Sequence, residues 1–198
     1  MRSFKICGFG VMAAMILIAS LGADGALATK LYSSGGALGV GAEIAASSEI
    51  STVFTGTEGN TIETCAGAGF GAGVANAGGE SSTVSGPAAA AFAGCSFPIE
   101  VTEEGSFEIH HIASTTNGTL TAKGFKVDIN TILFGHCVYT FGEGTDLGTL
   151  TGSTTTTAKL DVNAVIKKVS GGGVCASTGK WVATYTVTTP DRLWVEAS

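Results

Sequence analysis

Hydrophobic and polar residues alternate at a period of two through much of the second half of the chain. In AKLDVNAVI (158–166), Ala158, Leu160, Val162, Ala164 and Ile166 take turns with Lys159, Asp161, Asn163 and Val165. That alternation places one apolar set on one face of a strand and predicts a half-buried β-strand. Trp181, Ala183, Tyr185 and Val187 repeat the pattern against Val182, Thr184, Thr186 and Thr188, until Pro190 stops the strand. LWV (193–195) then reads as a last short edge, and Cys137, Tyr139 and Phe141 project to one side of a further strand. Upstream, FPIEV (97–101) and SFEIHHIA (106–113) flank a turn at 102–105. Phe107, Ile109, His111 and Ala113 share one face of the second strand, opposite Glu108, His110 and Ile112. Asn117-Gly118 signals a hairpin turn, with TLTAKGFKVDI (119–129) as the returning strand.

The first half is less regular. In 31–56 no helical period survives the glycines, and strands are expected around 40–45 and 51–54, followed by a turn at 57–60. The segment 61–95 is rich in Gly and Ala, which invites a helix assignment. Gly67, Gly69, Gly71 and Gly73, however, fall at every second residue. This spacing predicts a strand with one bare face, open to close approach by another backbone or a flat partner. The run GAGFGAG (67–73) lacks the spacing, the following helix and the lysine of a nucleotide loop. A second strand is expected to end at Cys95. Together these elements predict an all-β domain of roughly eight to eleven strands, a two-sheet antiparallel sandwich with Greek-key links, a barrel being the alternative.

The first 28 residues stand apart. Arg2 and Lys5 precede an uncharged run, 6–23, and Ala26-Leu27-Ala28 forms a small-x-small cleavage pattern. Residues 1–28 are therefore expected to be a signal peptide, and 29–198 a single domain. The uncharged run approaches spanning length, but Gly8, Gly10 and the cleavage pattern favour removal over anchoring. Cys7 lies in no lipoprotein cleavage box. Without Arg2, Lys5 and Asp24 the chain keeps 8 basic and 15 acidic residues, a net charge of −7. Such an acidic protein repels phosphate backbones, so nucleic acid is not an expected partner.

Cleavage leaves four cysteines, Cys65, Cys95, Cys137 and Cys175. An even number in an exported chain reads as two disulfides, with three connectivities open. Cys65–Cys95 and Cys137–Cys175 are favoured because each joins sequence neighbours within one half of the chain. Closing loops of about 30 and about 38 residues is worth roughly 3.5–4 kcal/mol each in the chain-entropy account. No Cys-x-x-Cys pair supports zinc, and no metal or other cofactor is expected.

Several segments resemble a family of uncharacterised secreted bacterial proteins. They are TCAG with its Gly/Ala-rich run (64–73), AGCSFP (93–98), FEIHHI with NGTLTAKG (107–124), and INTILFGHCVYTFGEGTDLGTLTG (129–152). The tail 160–195 completes the set, so the resemblance covers nearly all of the chain after residue 28. Two departures stand out: Trp194, where the family often has Tyr, and Ala176, where proline commonly follows the cysteine. The resemblance implies export, a β-rich fold and paired cysteines, and it brings no activity or site residues.

Candidate chemistry is sparse. His110-His111 with His136 is the one histidine cluster, yet strand neighbours point to opposite faces, so only one of the pair can join His136. Glu108 and His110 share a face and read as a surface pair able to hold a weak cation. Glu63, Glu103, Glu104 and Glu108 are carboxylates, but a glycosidase acid–base pair needs two of them ~5–9 Å apart in a cleft. Glu103 and Glu104 fall in a turn and read as solubilising charge. Glu143-Gly144-Thr145-Asp146 lacks calcium-loop spacing, and Asn117-Gly118-Thr119 is explained by its turn without a sugar. No nucleophile elbow or metalloprotease helix motif is present. Trp181 and Tyr185 read as core. Trp194 alternates with Leu193 and Val195 on an edge, where an exposed ring can stack on sugar C–H surfaces or fold over the core. The expected function is that of a secreted or cell-surface, non-enzymatic β-sandwich with a structural or interaction role. Its partner would be a surface polymer or protein. The alternative is a carbohydrate-binding module using Trp194, Glu108 and His110.

Overall fold

The computed structural model describes residues 28–48, 50–79, 83–131, 135–141 and 146–198. The expected signal peptide, apart from Ala28, and Glu143 to Thr145 of the acidic turn lie outside the described residues. Among the described residues the chain is all-β, and no helix is long and apolar enough to cross a membrane. The strands are β1 (Thr29–Ser33), β2 (Gly36–Ala37), β3 (Glu43–Ser48), β4 (Thr52–Gly56), β5 (Thr61–Gly73), β6 (Thr83–Cys95), β7 (Ile99–Glu103) and β8 (Gly105–His111). They continue as β9 (Gly118–Lys123), β10 (Lys126–Thr131), β11 (Gly135–Phe141), β12 (Asp146–Thr151), β13 (Lys159–Ser170), β14 (Thr178–Thr189) and β15 (Trp194–Ala197).

Two antiparallel sheets form the sandwich. The smaller has the order β15-β1-β2, and the larger β3-β14-β4-β5-β6-β8-β9-β12-β13-β11-β10-β7. Within the larger sheet β13 also pairs with β14, so a hydrogen-bonded path runs from β14 through β4, β5, β6, β8, β9 and β12 back to β13. β3 and β4 share the same two neighbours: β3 lies beside 68–73 of β5, and β4 beside 61–65. Continuous pairing of this kind leaves few backbone groups on open edges.

The alternating runs supply the core. Leu160, Val162, Ala164 and Ile166 of β13, with Ala158 just before it, are buried beside Trp181, Ala183, Tyr185 and Val187 of β14. Trp181 lies at the centre of an aromatic cluster: its ring is 4.8 Å from Phe141, 5.8 Å from Phe92, and 6.2 Å from both Phe54 and Tyr185. These are the edge and offset separations at which rings attract.

Several expectations shift. The strand expected at 40–45 starts at Glu43, past Gly39 and Gly41. The returning strand 119–129 breaks at Gly124, whose φ is +80°. Its first part, β9, pairs with β8 and β12, and its second, β10, pairs with β7 and β11. Asn117-Gly118 is not the hairpin turn either. The connection spans 112–117, with Ser114 at φ 61°, and Gly118 already pairs with His111. Gly118 serves close approach instead: a Cβ there would lie 2.7 Å from Ile109 Cγ2 and 3.0 Å from Val195 Cγ2. Breaks of this kind raise the described strands to fifteen. β1 was not anticipated, because TKLYS carries no turn signal and gains its place only by pairing with β15.

Both favoured disulfides are present. Cys65 and Cys95 sit directly opposite each other on β5 and β6 with Cα atoms 3.8 Å apart, and Cys137 reaches Cys175 with Cα atoms 5.7 Å apart. Paired thiols of this kind fit an oxidising compartment.

Candidate functional site

A pocket of about 220 Å³ opens where the Cys137–Cys175 disulfide ties the connection before β14 onto β11. Its apolar wall is formed by Ile62, Phe97 and Val174 with the disulfide itself. Asn60, Thr61, Thr131 and Tyr139 supply the polar groups, and among the described residues no charged side chain lines it.

Each wall is held by specific bonds. Gly171, at φ +128°, lets the chain turn tightly after β13, since a Cβ there would meet Cys175 Sγ at 2.7 Å and the His136 carbonyl at 2.8 Å. Lys168 Nζ donates to the carbonyls of Gly172 and Cys175, at 3.3 and 3.1 Å. The turn at 57–60 is latched to β14 by the Thr57 hydroxyl, which donates to the Thr178 carbonyl at 3.0 Å. Phe97 is fixed by Glu63, a carboxylate only 2% exposed. One Glu63 oxygen accepts the Ser96 N–H at 2.7 Å and the Thr64 N–H at 2.9 Å, and the other accepts the Phe97 N–H at 3.0 Å. Glu63 is thus the anchor of a turn, with no oxygen left facing a cleft.

Tyr139 is the distinctive group. The residue is 1% exposed and borders the pocket, and its hydroxyl makes no hydrogen bond among the described residues and is not one of the fully enclosed polar atoms. Burial raises its phenol above the usual value of 10.0, so the hydroxyl stays protonated at ordinary pH.

The residues expected from sequence are dispersed. Glu108 binds Lys123 Nζ at 3.0 Å and lies 3.9 Å from His110 Nε2, a half-exposed trio on β8 and β9. His111 turns its Nε2 to the Thr115 carbonyl at 2.8 Å, while its Nδ1 is buried without a partner. His136 pairs with Asp128 on β10 at 2.6 Å, and among the described residues no hydrogen bond or ion pair brings it to His110 or His111. Among the described residues no group of three or more His, Cys, Asp or Glu converges on one point. Glu103 pairs with Lys126 at 2.6 Å, and Glu104 is exposed in the following link.

Trp194 is buried, at 8% exposure. Its ring stacks on Tyr32 of β1 at 6.0 Å and 18°, and its Nε1–H donates to Glu196 at 2.7 Å. One ring face and the polar edge are engaged, so Trp194 packs across the β1–β15 pair against Tyr32 instead of standing out as a platform, while its neighbours Leu193 and Val195 join the core. No hydrogen bond or ion pair among the described residues links it to Glu108 or His110.

The bare face of β5 is present as expected. A Cβ at Gly71 would meet nothing within 4 Å, and at Gly67 and Gly69 only one carbonyl each, at 3.8 and 4.0 Å. Ala91 and Ala93 of β6, paired with Gly69 and Gly67, continue this surface and are exposed. Compared with family models, curated proteins and solved structures, the chain shows no significant match to any of them.

Proposed function

We propose that this is an exported, non-catalytic β-sandwich protein with a structural or interaction role outside the cytoplasm, and that it meets its partner through the Gly/Ala face of β5 and β6. The observation behind this reading is the open space over Gly67, Gly69 and Gly71, flanked by the exposed methyl groups of Ala91 and Ala93. A surface of backbone and methyl groups has no long side chain to immobilise, and it admits a flat polymer or protein surface to backbone distance. Export draws support from the two disulfides, and from β1 starting at Thr29, directly after the Ala-Leu-Ala pattern. The secreted bacterial resemblance is part of the same proposal.

Purified protein incubated with cell envelopes of an expressing bacterium tests the face. Gly69→Arg and Gly71→Arg are expected to abolish retention with the melting temperature kept. Val182→Arg, on an exposed position of β14, should retain it. Retention equal in all variants, or absent in the parent, counts against this face as the contact. The mass of the exported product checks cleavage after Ala28. A carbohydrate-binding role for Trp194 draws no support from a ring that is stacked on Tyr32.

A further inference from the structure

We infer that the pocket beside the Cys137–Cys175 disulfide is a binding site for an uncharged, hydroxylated ring, with Tyr139 as its hydrogen-bonding anchor. This goes beyond the flat-face contact and stands on different residues. Size comes first. The cavity measures about 220 Å³. An apolar cavity of ~150 Å³ is enough for benzene, whereas drug-sized ligands take ~300 Å³ or more. One substituted ring therefore fits, and a larger molecule would project through the mouth.

Chemistry narrows the class. With no charged side chain on the wall among the described residues, a carboxylate, phosphate or ammonium entering the pocket would lose hydration without gaining a counter-charge. The Lys168 ammonium, which reaches the Cys175 carbonyl, is already committed to two carbonyls. Ile62, Phe97 and Val174 offer apolar contact to ring faces. Tyr139 borders the pocket, and its hydroxyl makes no hydrogen bond among the described residues without being fully enclosed, so it is a donor and acceptor that a ligand in the pocket can use. A ring bearing a hydroxyl satisfies it, and a plain hydrocarbon leaves it unmet. Phenolic rings and sugar rings both carry this chemistry, so the test separates them.

The probes are p-cresol, toluene, methyl glucoside and benzoate, titrated against the protein purified with both disulfides formed and followed by ligand-observed NMR. Saturable binding of p-cresol or of methyl glucoside, with benzoate at least about tenfold weaker, is the expected result; which of the two binds identifies the source of the ring. Tyr139→Phe should weaken the hydroxylated probe about 3–10-fold and leave toluene within about twofold, a split that general loosening of the fold would not give. Val174→Trp fills the mouth from an exposed loop position and should abolish binding without lowering the melting temperature. No saturable binding of either hydroxylated probe overturns the inference. So does benzoate binding as tightly, equal weakening of toluene by Tyr139→Phe, or binding that survives Val174→Trp.

Discussion

At Glu63 a buried carboxylate replaces strand pairing where β6 gives way to a turn. Three backbone N–H groups, of Thr64, Ser96 and Phe97, end on its two oxygens, at 2% exposure, and the Ser96 N–H also reaches the Thr64 carbonyl at 3.2 Å. Removing the acceptor strands the Thr64 and Phe97 donors and leaves Ser96 only its longer bond to the Thr64 carbonyl, and each stranded donor costs about 1–3 kcal/mol. Glu63→Ala is expected to lower stability by roughly 2–4 kcal/mol in urea unfolding, allowing for partial relaxation. Glu103→Ala, which loses only an exposed pair with Lys126, should change it by less than about 0.5 kcal/mol. Equal effects of the two would show that the Glu63 bonds contribute nothing special. The sequence presents Glu63 as one more carboxylate, because its donors lie up to 34 residues away and are backbone groups, which no side-chain motif encodes. Trp181 and Tyr185, in contrast, were legible as core because period-two alternation depends only on neighbours along one strand. For Trp194 the sequence allows either an exposed or a folded-over ring. What settles its position is Tyr32, a partner 162 residues earlier in the chain.

Elements show the same divide, most clearly in two glycines. Gly71 stands in a strand with nothing within 4 Å of a Cβ, whereas Gly118 faces Ile109 and Val195 at contact distance. Gly71→Thr should hold or raise the melting temperature, since a strand glycine costs conformational entropy and threonine suits an exposed strand face. Gly118→Ala should destabilise by about 1–3 kcal/mol, the usual cost of forcing a methyl into a filled core. Thermal unfolding of the pair checks this, and a drop at Gly71 with tolerance at Gly118 would reverse the assignment of roles. The alternating glycines of β5 could be read from spacing alone. Asn117-Gly118 could not, because one dipeptide serves equally as a hairpin turn and as a strand start pressed against β15. The break at Gly124 was hidden for a similar reason. Phe125, Val127 and Ile129 keep their alternation on either reading, and only the change of partners from β8 and β12 to β7 and β11 reveals two strands.

Over the whole molecule, alternation fixes which residues face inward but not which strands meet, so the all-β class was legible and the closed path through β13 and β14 was not. The consequence of that closure is an interior sealed around polar atoms. Tyr185 Oη, Thr52 Oγ1 and Trp181 Nε1 are all buried without a hydrogen bond of acceptable geometry. Desolvation drives the Tyr185 phenol far above its ordinary value, and the nearby Thr52 hydroxyl offsets only part of this. Tyr139 is raised in the same direction by burial. Below the unfolded tyrosine value of 10.0 both states hold these protons, and neither residue makes stability depend on pH. Above it the unfolded chain releases protons that the folded chain retains, so the unfolded state gains and stability falls as pH rises. Urea midpoints measured at about pH 8, 9.5, 10.5 and 11.5 should therefore show a tyrosine-dependent decline that begins near the unfolded value. Tyr185→Phe separates this from lysine deprotonation and disulfide exchange, which it leaves untouched. Its hydroxyl makes no bond to lose, so the variant should match the parent at pH 8 and fall less steeply above 10. Parallel curves for parent and variant would mean that Tyr185 ionises as readily in the fold as out of it, which a sealed interior forbids.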